Sequence, residues 1–141
     1  MKVYLLRYDK GFIIRYTQKQ IDKFNRQKYI TELEKISKNL FRMFRDVNIS
    51  SQKFMVKFEE LKKNFDKRVV VHLDSEYHQQ LKNYIVRLYL QTCLAEEFCD
   101  KDFNDIRELE MSNLNRLQKL KNSASYKKDK HKSKHQNTDW G

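Results

Sequence analysis

The near absence of helix-breaking residues limits the folds open to this chain more than any other feature. The 141 residues include no Pro and only two Gly. A β sandwich needs many tight turns, and Gly and Pro are the residues that most often form them. The composition therefore favours long, uninterrupted helices. A chain of this length is sufficient for one domain with one hydrophobic core.

Hydrophobic periodicity predicts four helices, and the first two have clear start signals. Residues 17–20, Thr-Gln-Lys-Gln, form a capping box, so the first helix should begin there and continue to Asp46 or Val47. Ser50 or Ser51 is the predicted N-cap of the second helix. The predicted core face of the second helix consists of Phe54, Phe58, Leu61 and Phe65.

The third predicted helix has the most apolar pattern in the chain. It follows Asp74 and Ser75, and no Gly or Pro interrupts it before Phe98. Because apolar residues nearly encircle it, we expect a long third helix buried at the centre of the domain. A fourth helix, capped by Asp102 or Asn104, should end near Asn122. The apolar positions of the third helix are Tyr77, Leu81, Tyr84, Ile85, Val86, Leu88, Leu90, Cys93, Leu94, Ala95 and Cys99.

Short β structure is predicted near the N-terminus. Residues 1–16 contain two β-rich runs separated by Asp9-Lys10-Gly11, which is typical of a hairpin. The valine-rich segment 69–73 is a candidate short strand that would join this hairpin. The predicted fold class is therefore mainly α, with one helical domain over residues 1–122. From Ser123 the composition becomes Lys- and His-rich, and residues 123–141 are predicted to form a disordered basic tail.

The charge balance favours polyanionic partners. The net charge is +11 and the pI is about 9.6, which is typical of proteins that contact nucleic acid phosphates. The predicted contacts are a stripe on the first helix (Lys28, Lys35, Lys38, Arg42 and Arg45), a cluster at the end of the second helix (Lys62, Lys63, Lys67 and Arg68) and the tail (Lys127, Lys128, Lys130, Lys132 and Lys134). The predicted function is low-specificity nucleic-acid binding, with DNA and RNA both open. The alternative is a helical protein interaction subunit or adaptor, which would bind a protein partner or form a homo-oligomer.

A short segment resembles the opening of a ribbon-helix-helix DNA-binding domain. Residues 67–77, Lys-Arg-Val-Val-Val-His-Leu-Asp-Ser-Glu-Tyr, followed by Leu81 and Lys82, carry this resemblance. It implies a DNA-binding regulator in which Arg68, Val70 and His72 face the major groove. In that family a turn separates two helices about a dozen residues later. This sequence has no such break between Leu81 and Phe98, so the resemblance is a second alternative.

Catalytic and cofactor motifs are missing from the sequence. It contains no Gly-rich phosphate loop, no nucleophile elbow and no H-E-x-x-H pair. Cys and His residues lack the close spacing of a zinc site. We therefore predict a protein that is not an enzyme and uses no cofactor or metal. The sequence shows no signal peptide and no membrane span, so an intracellular location, cytoplasmic or nuclear, is expected without membrane contact.

Overall fold

The computed structural model describes the backbone of residues 3–9 and 12–122 and the side chains of residues 16–121. Strands β1 (Val3–Asp9) and β2 (Phe12–Thr17) are antiparallel, with Asp9 opposite Phe12. The predicted turn residues Lys10 and Gly11, and the predicted disordered tail, lie outside the described residues. The helices are α1 (Gln18–Arg45), α2 (Ser51–Asp66), α3 (Glu76–Thr92) and α4 (Asp100–Gln118), followed by a 3₁₀ turn at Lys119–Asn122. The mainly helical fold with four helices is confirmed.

Local capping signals set the starts of three helices. The Thr17 hydroxyl accepts from the Gln20 amide at 3.3 Å, and Gln20 Oε1 accepts from the Thr17 amide at 3.0 Å. This is the predicted capping box. Ser50 Oγ accepts from the amide of Lys53 at 3.2 Å, and Ser75 Oγ accepts from the amide of His78 at 3.4 Å. The predicted starts of α1 and α2 are confirmed, and Ser75 caps α3. A cap depends on only a few adjacent residues, so local sequence is sufficient to locate it.

Helix α1 is the central element of the bundle. It has 28 residues, and α2, α3 and α4 all pack against it. Aromatic rings join three of the helices: the Phe44 and Phe54 ring centroids are 5.2 Å apart, and those of Phe54 and Phe103 are 4.9 Å apart. The buried residues of α1 are Tyr29, Ile30, Leu33, Ile36, Ser37, Leu40, Met43 and Phe44. The predicted core face of α2 is also buried.

The prediction of a long, central third helix is wrong. Helix α3 has 17 residues and ends at Thr92. Five of its predicted apolar positions are buried (Tyr77, Leu81, Tyr84, Ile85 and Leu88), but Val86 and Leu90 are 42% and 55% exposed. An apolar run is therefore a poor measure of burial here. Helix α1 packs against all the other helices, and helix α3 is buried on one side only.

The prediction that this helix continues through Phe98, with both cysteines inside it, is also wrong. The chain turns after Thr92, and the Phe98 ring packs 6.1 Å from Phe54 and 6.3 Å from Phe103. Cys99 is exposed and is the N-cap of α4, where Asp102 accepts from the Cys99 amide at 3.0 Å. Helix α4 therefore begins before the predicted caps. No Gly or Pro marks this turn in the sequence, and the Phe98 ring packs against Phe54 of α2, which is far away in the chain.

The predicted strand at 69–73 is wrong as well. Within residues 12–122 this segment has no strand partner and no regular secondary structure. Two of its backbone carbonyl groups accept hydrogen bonds from side chains instead. Arg26 Nη2 donates to the His72 carbonyl at 2.8 Å, and Gln79 Nε2 donates to the Leu73 carbonyl at 2.6 Å. Leu73 is buried while Val70 is 71% exposed, so the segment is a strap across α1 and α3 that is anchored at one end.

Candidate nucleic-acid interface

The outer face of α1 carries five exposed cations. At about 100° per residue these side chains fall within an arc of about 100°, and the buried residues of α1 fall on the opposite side. The sequence therefore divides one helix into a core face and a cationic face. We call this surface the α1 basic face; it consists of Lys28, Lys35, Lys38, Arg42 and Arg45, all of which are exposed.

Both acidic residues between Lys28 and Arg45 form ion pairs with other elements. Glu32 Oε2 lies 2.9 Å from Arg68 Nη2, and Glu34 Oε2 lies 2.8 Å from the buried His78 Nε2. These contacts direct the two carboxylates towards the 67–75 segment and α3. The α1 basic face therefore contains no acidic side chain of its own helix.

The cations of the α1 basic face are available to an external ligand. Within residues 16–121 none of the five forms an ion pair. Arg45 lies over the Phe41 ring, with its guanidinium carbon 5.8 Å from the ring centroid. Arg42 and Arg45 lie in the last helical turn, where positive side chains are stabilised by the helix dipole.

The predicted cluster at the end of α2 divides into two pairs. Lys62 Nζ contacts both carboxylate oxygens of Asp66 at 2.9 Å and lies 5.1 Å from the Tyr89 ring centroid. Arg68 is engaged by Glu32. Lys63 and Lys67 are exposed. Lys62 and Arg68, two of the four predicted phosphate contacts, are therefore paired with acidic residues of the protein itself.

The residues that the ribbon-helix-helix resemblance assigns to a DNA groove do not lie on a strand. Arg68 pairs with Glu32, and the His72 carbonyl accepts from Arg26. The His72 imidazole lies 3.1 Å from Asp74 Oδ1. Helix α3 also continues without a break from Glu76 to Thr92. The predicted contacts in the tail, Lys127 to Lys134, lie outside the described residues.

A second polar cluster, between α3 and α4, was not predicted from the sequence. The Tyr84 hydroxyl donates to Oε1 of the buried Glu110 at 2.9 Å, and Asn113 Nδ2 donates to the same oxygen at 3.1 Å. Arg87 Nη2 lies 3.8 Å from it. Burial, followed by the charge of Glu110, raises the pKa of Tyr84 above its ordinary value. Tyr84 and Arg87 are three positions apart in α3, and Glu110 and Asn113 are three positions apart in α4. Nothing in the sequence indicates that these two pairs contact each other.

The described residues contain neither a cluster of metal ligands nor a membrane-spanning helix. In that part of the chain no three His, Cys, Asp or Glu side chains converge as metal ligands. None of its helices combines the length and apolarity needed to cross a bilayer. Comparison of the chain with protein-family models, curated proteins and solved structures finds no significant match.

Proposed function

We propose that this protein is a non-enzymatic nucleic-acid-binding protein that contacts the phosphate backbone through the α1 basic face and the Lys-rich tail. One observation carries the proposal. Five exposed cations line one side of α1, while Glu32 and Glu34 of the same helix are held by Arg68 and His78. The result is a uniform positive surface on a rigid element.

The dimensions of the α1 basic face suit a phosphate backbone. Lys28 and Arg45 are 17 positions apart, which corresponds to about 26 Å along the helix. That length equals the rise of about seven or eight base-pair steps along the axis of a duplex. Lys and Arg contacts to phosphate release counterions and carry no direct sequence information. Binding should therefore be salt-dependent and low in specificity.

A pair of charge-matched triple variants tests the proposal. The first is Lys35→Gln, Lys38→Gln, Arg42→Gln on the α1 basic face; the control is Lys53→Gln, Lys101→Gln, Lys119→Gln, at exposed positions on other helices and the 3₁₀ turn. Fluorescence anisotropy would measure affinity for labelled duplex DNA, single-stranded DNA and RNA over a salt series. If all three side chains contact duplex phosphates, the first variant should lower the slope of log affinity against log salt by about 2.7. The control should retain the wild-type slope.

Two results would contradict the proposal. Affinity that hardly changes with salt would exclude phosphate contacts as its source. Equal losses in the two triple variants would show a general effect of net charge with no preferred face. Deletion of residues 123–141 removes the contribution of the tail. If the α1 basic face contributes to binding, the α1 substitutions should still weaken binding by the truncated protein, and the control substitutions should not.

An exposed apolar row favours a second candidate function, that of a helical protein interaction subunit. Val86 and Leu90 lie one turn apart on α3 and are 42% and 55% exposed, and Leu94, just beyond the end of this helix, is 58% exposed. Such a row is typical of surfaces that bind a protein partner or a second copy. Light scattering tests the second-copy form directly. Self-association that is lost in Val86→Ser, Leu90→Ser would support it, and a wild-type monomer at high concentration would contradict it.

A further inference from the structure

A cleft of about 460 Å³ lies between α3 and α4, away from the α1 basic face. Tyr84, Leu117 and Leu120 give it apolar walls, and Arg87 and Arg116 bring guanidinium groups to it. Its size is within the range of small-molecule sites in proteins. The proposed contacts with nucleic acid use none of these residues.

One oxygen of the buried carboxylate beneath this cleft accepts hydrogen bonds from two protein donors. Glu110 Oε1 accepts from the Tyr84 hydroxyl and from Asn113, and Glu110 is only 3% exposed. Arg87 Nη2 lies 3.8 Å from the same oxygen, and Arg87 Nη1 donates to Gln91 at 3.0 Å. Glu110 therefore offsets the charge of one guanidinium group, and its Oε1 is already engaged by protein donors.

Arg116 supplies the unbalanced charge. It is exposed, and within residues 16–121 it has no ion-pair partner. Two guanidinium groups against one carboxylate leave the cleft with an excess of one positive charge. Guanidinium groups match the geometry of carboxylate and phosphate oxygens. The adjoining Tyr84 ring and Leu side chains would contact an apolar group joined to that anion.

We propose that the α3–α4 cleft binds a small organic anion in which an apolar body carries a phosphate or carboxylate group. Arg116 holds the anionic group, assisted by the outer edge of Arg87. The apolar body lies against Tyr84, Leu117 and Leu120. This site is independent of the proposed nucleic-acid face, so either can fail without the other.

Titration of the ¹⁵N-labelled full-length protein, followed by NMR, tests this site. The probes are phenyl phosphate, benzoate, inorganic phosphate and benzyl alcohol. At least one of the first two should give saturable one-to-one shifts centred on residues 80–87 and 113–120. Comparison of these two identifies the preferred anionic group. The last two probes, which carry only the charge or only the apolar body, should bind at least tenfold more weakly.

Arg116→Gln is the decisive variant because Arg116 makes no internal ion pair whose loss would disturb the fold. It should weaken the better of the two anionic ligands about tenfold, with partial recovery in Arg116→Lys. Lys119→Gln removes an exposed cation that does not line the cleft and should leave the affinity unchanged. Absence of saturation with both ligands, shifts centred on α1, or equal losses in Arg116→Gln and Lys119→Gln would overturn the proposal.

Discussion

The Tyr84 hydroxyl and the Glu110 carboxylate form a buried 2.9 Å hydrogen bond that connects α3 to α4. Tyr84→Phe would leave Glu110 with one donor fewer in a site shielded from water. We expect the free energy of unfolding to fall by about 1–3 kcal/mol, the cost of an unsatisfied buried acceptor. Urea denaturation measures it. Tyr89→Phe is the matched control and should change stability by less than about 0.5 kcal/mol; equal effects in the two variants would argue against the importance of this bond.

The Asp100 carboxylate connects the start of α4 to the start of α2. The Ser51 amide donates to Asp100 Oδ1 at 2.8 Å and holds the pKa of Asp100 below its ordinary value. A depressed folded-state pKa stabilises the protein above the unfolded value of about 3.9, and this contribution is lost as the pH falls through the folded value. The stability difference between wild type and Asp100→Asn should therefore shrink between pH 6 and pH 3. Thermal unfolding would measure this, with Asp105→Asn as the control; a difference that stays constant with pH would refute the prediction.

The two free cysteines should differ in reactivity. Burial raises the pKa of the Cys93 thiol to about 11, and Cys99 is exposed. At pH 8 about one Cys93 in a thousand would be thiolate, against about a quarter for an ordinary thiol. Iodoacetamide should therefore modify Cys99 first in the native protein, as followed by peptide mass spectrometry. Faster labelling of Cys93 would contradict the described packing, and Cys99→Ser provides a sample in which Cys93 is measured alone.

Arg26 should protect the 69–73 strap from proteolysis. Its Nη2 donates to the His72 carbonyl at 2.8 Å, and this segment has no strand partner within residues 12–122. Arg26→Gln should increase the rate of elastase cleavage after Val69, Val70 or Val71 severalfold, because local opening requires fewer broken contacts. Lys19→Gln, at an exposed position in the first turn of α1, should leave the rate unchanged. Equal cleavage rates in wild type and Arg26→Gln would show that other contacts hold the strap.

The position of Glu34 in the folded protein could not be predicted from the sequence. The spacing of Lys28, Lys35 and Lys38 was sufficient to predict a cationic side of α1, and all three are exposed. The removal of Glu34 from that side depends on His78, which is 44 positions away. The same limit applies to Arg68, which was a candidate phosphate contact and is engaged by Glu32.

Local sequence patterns are sufficient to predict the four helices, the caps of α1 and α2, and the core face of α2. A cap requires a hydroxyl or carboxylate within three residues of its donor, and a helical face follows from a fixed repeat. Contacts between elements, which no local pattern shows, place α1 at the centre, make 69–73 a strap and turn the chain after Thr92. The last two outcomes depend on partners far away in the chain, Arg26 for the His72 carbonyl and Phe54 for Phe98.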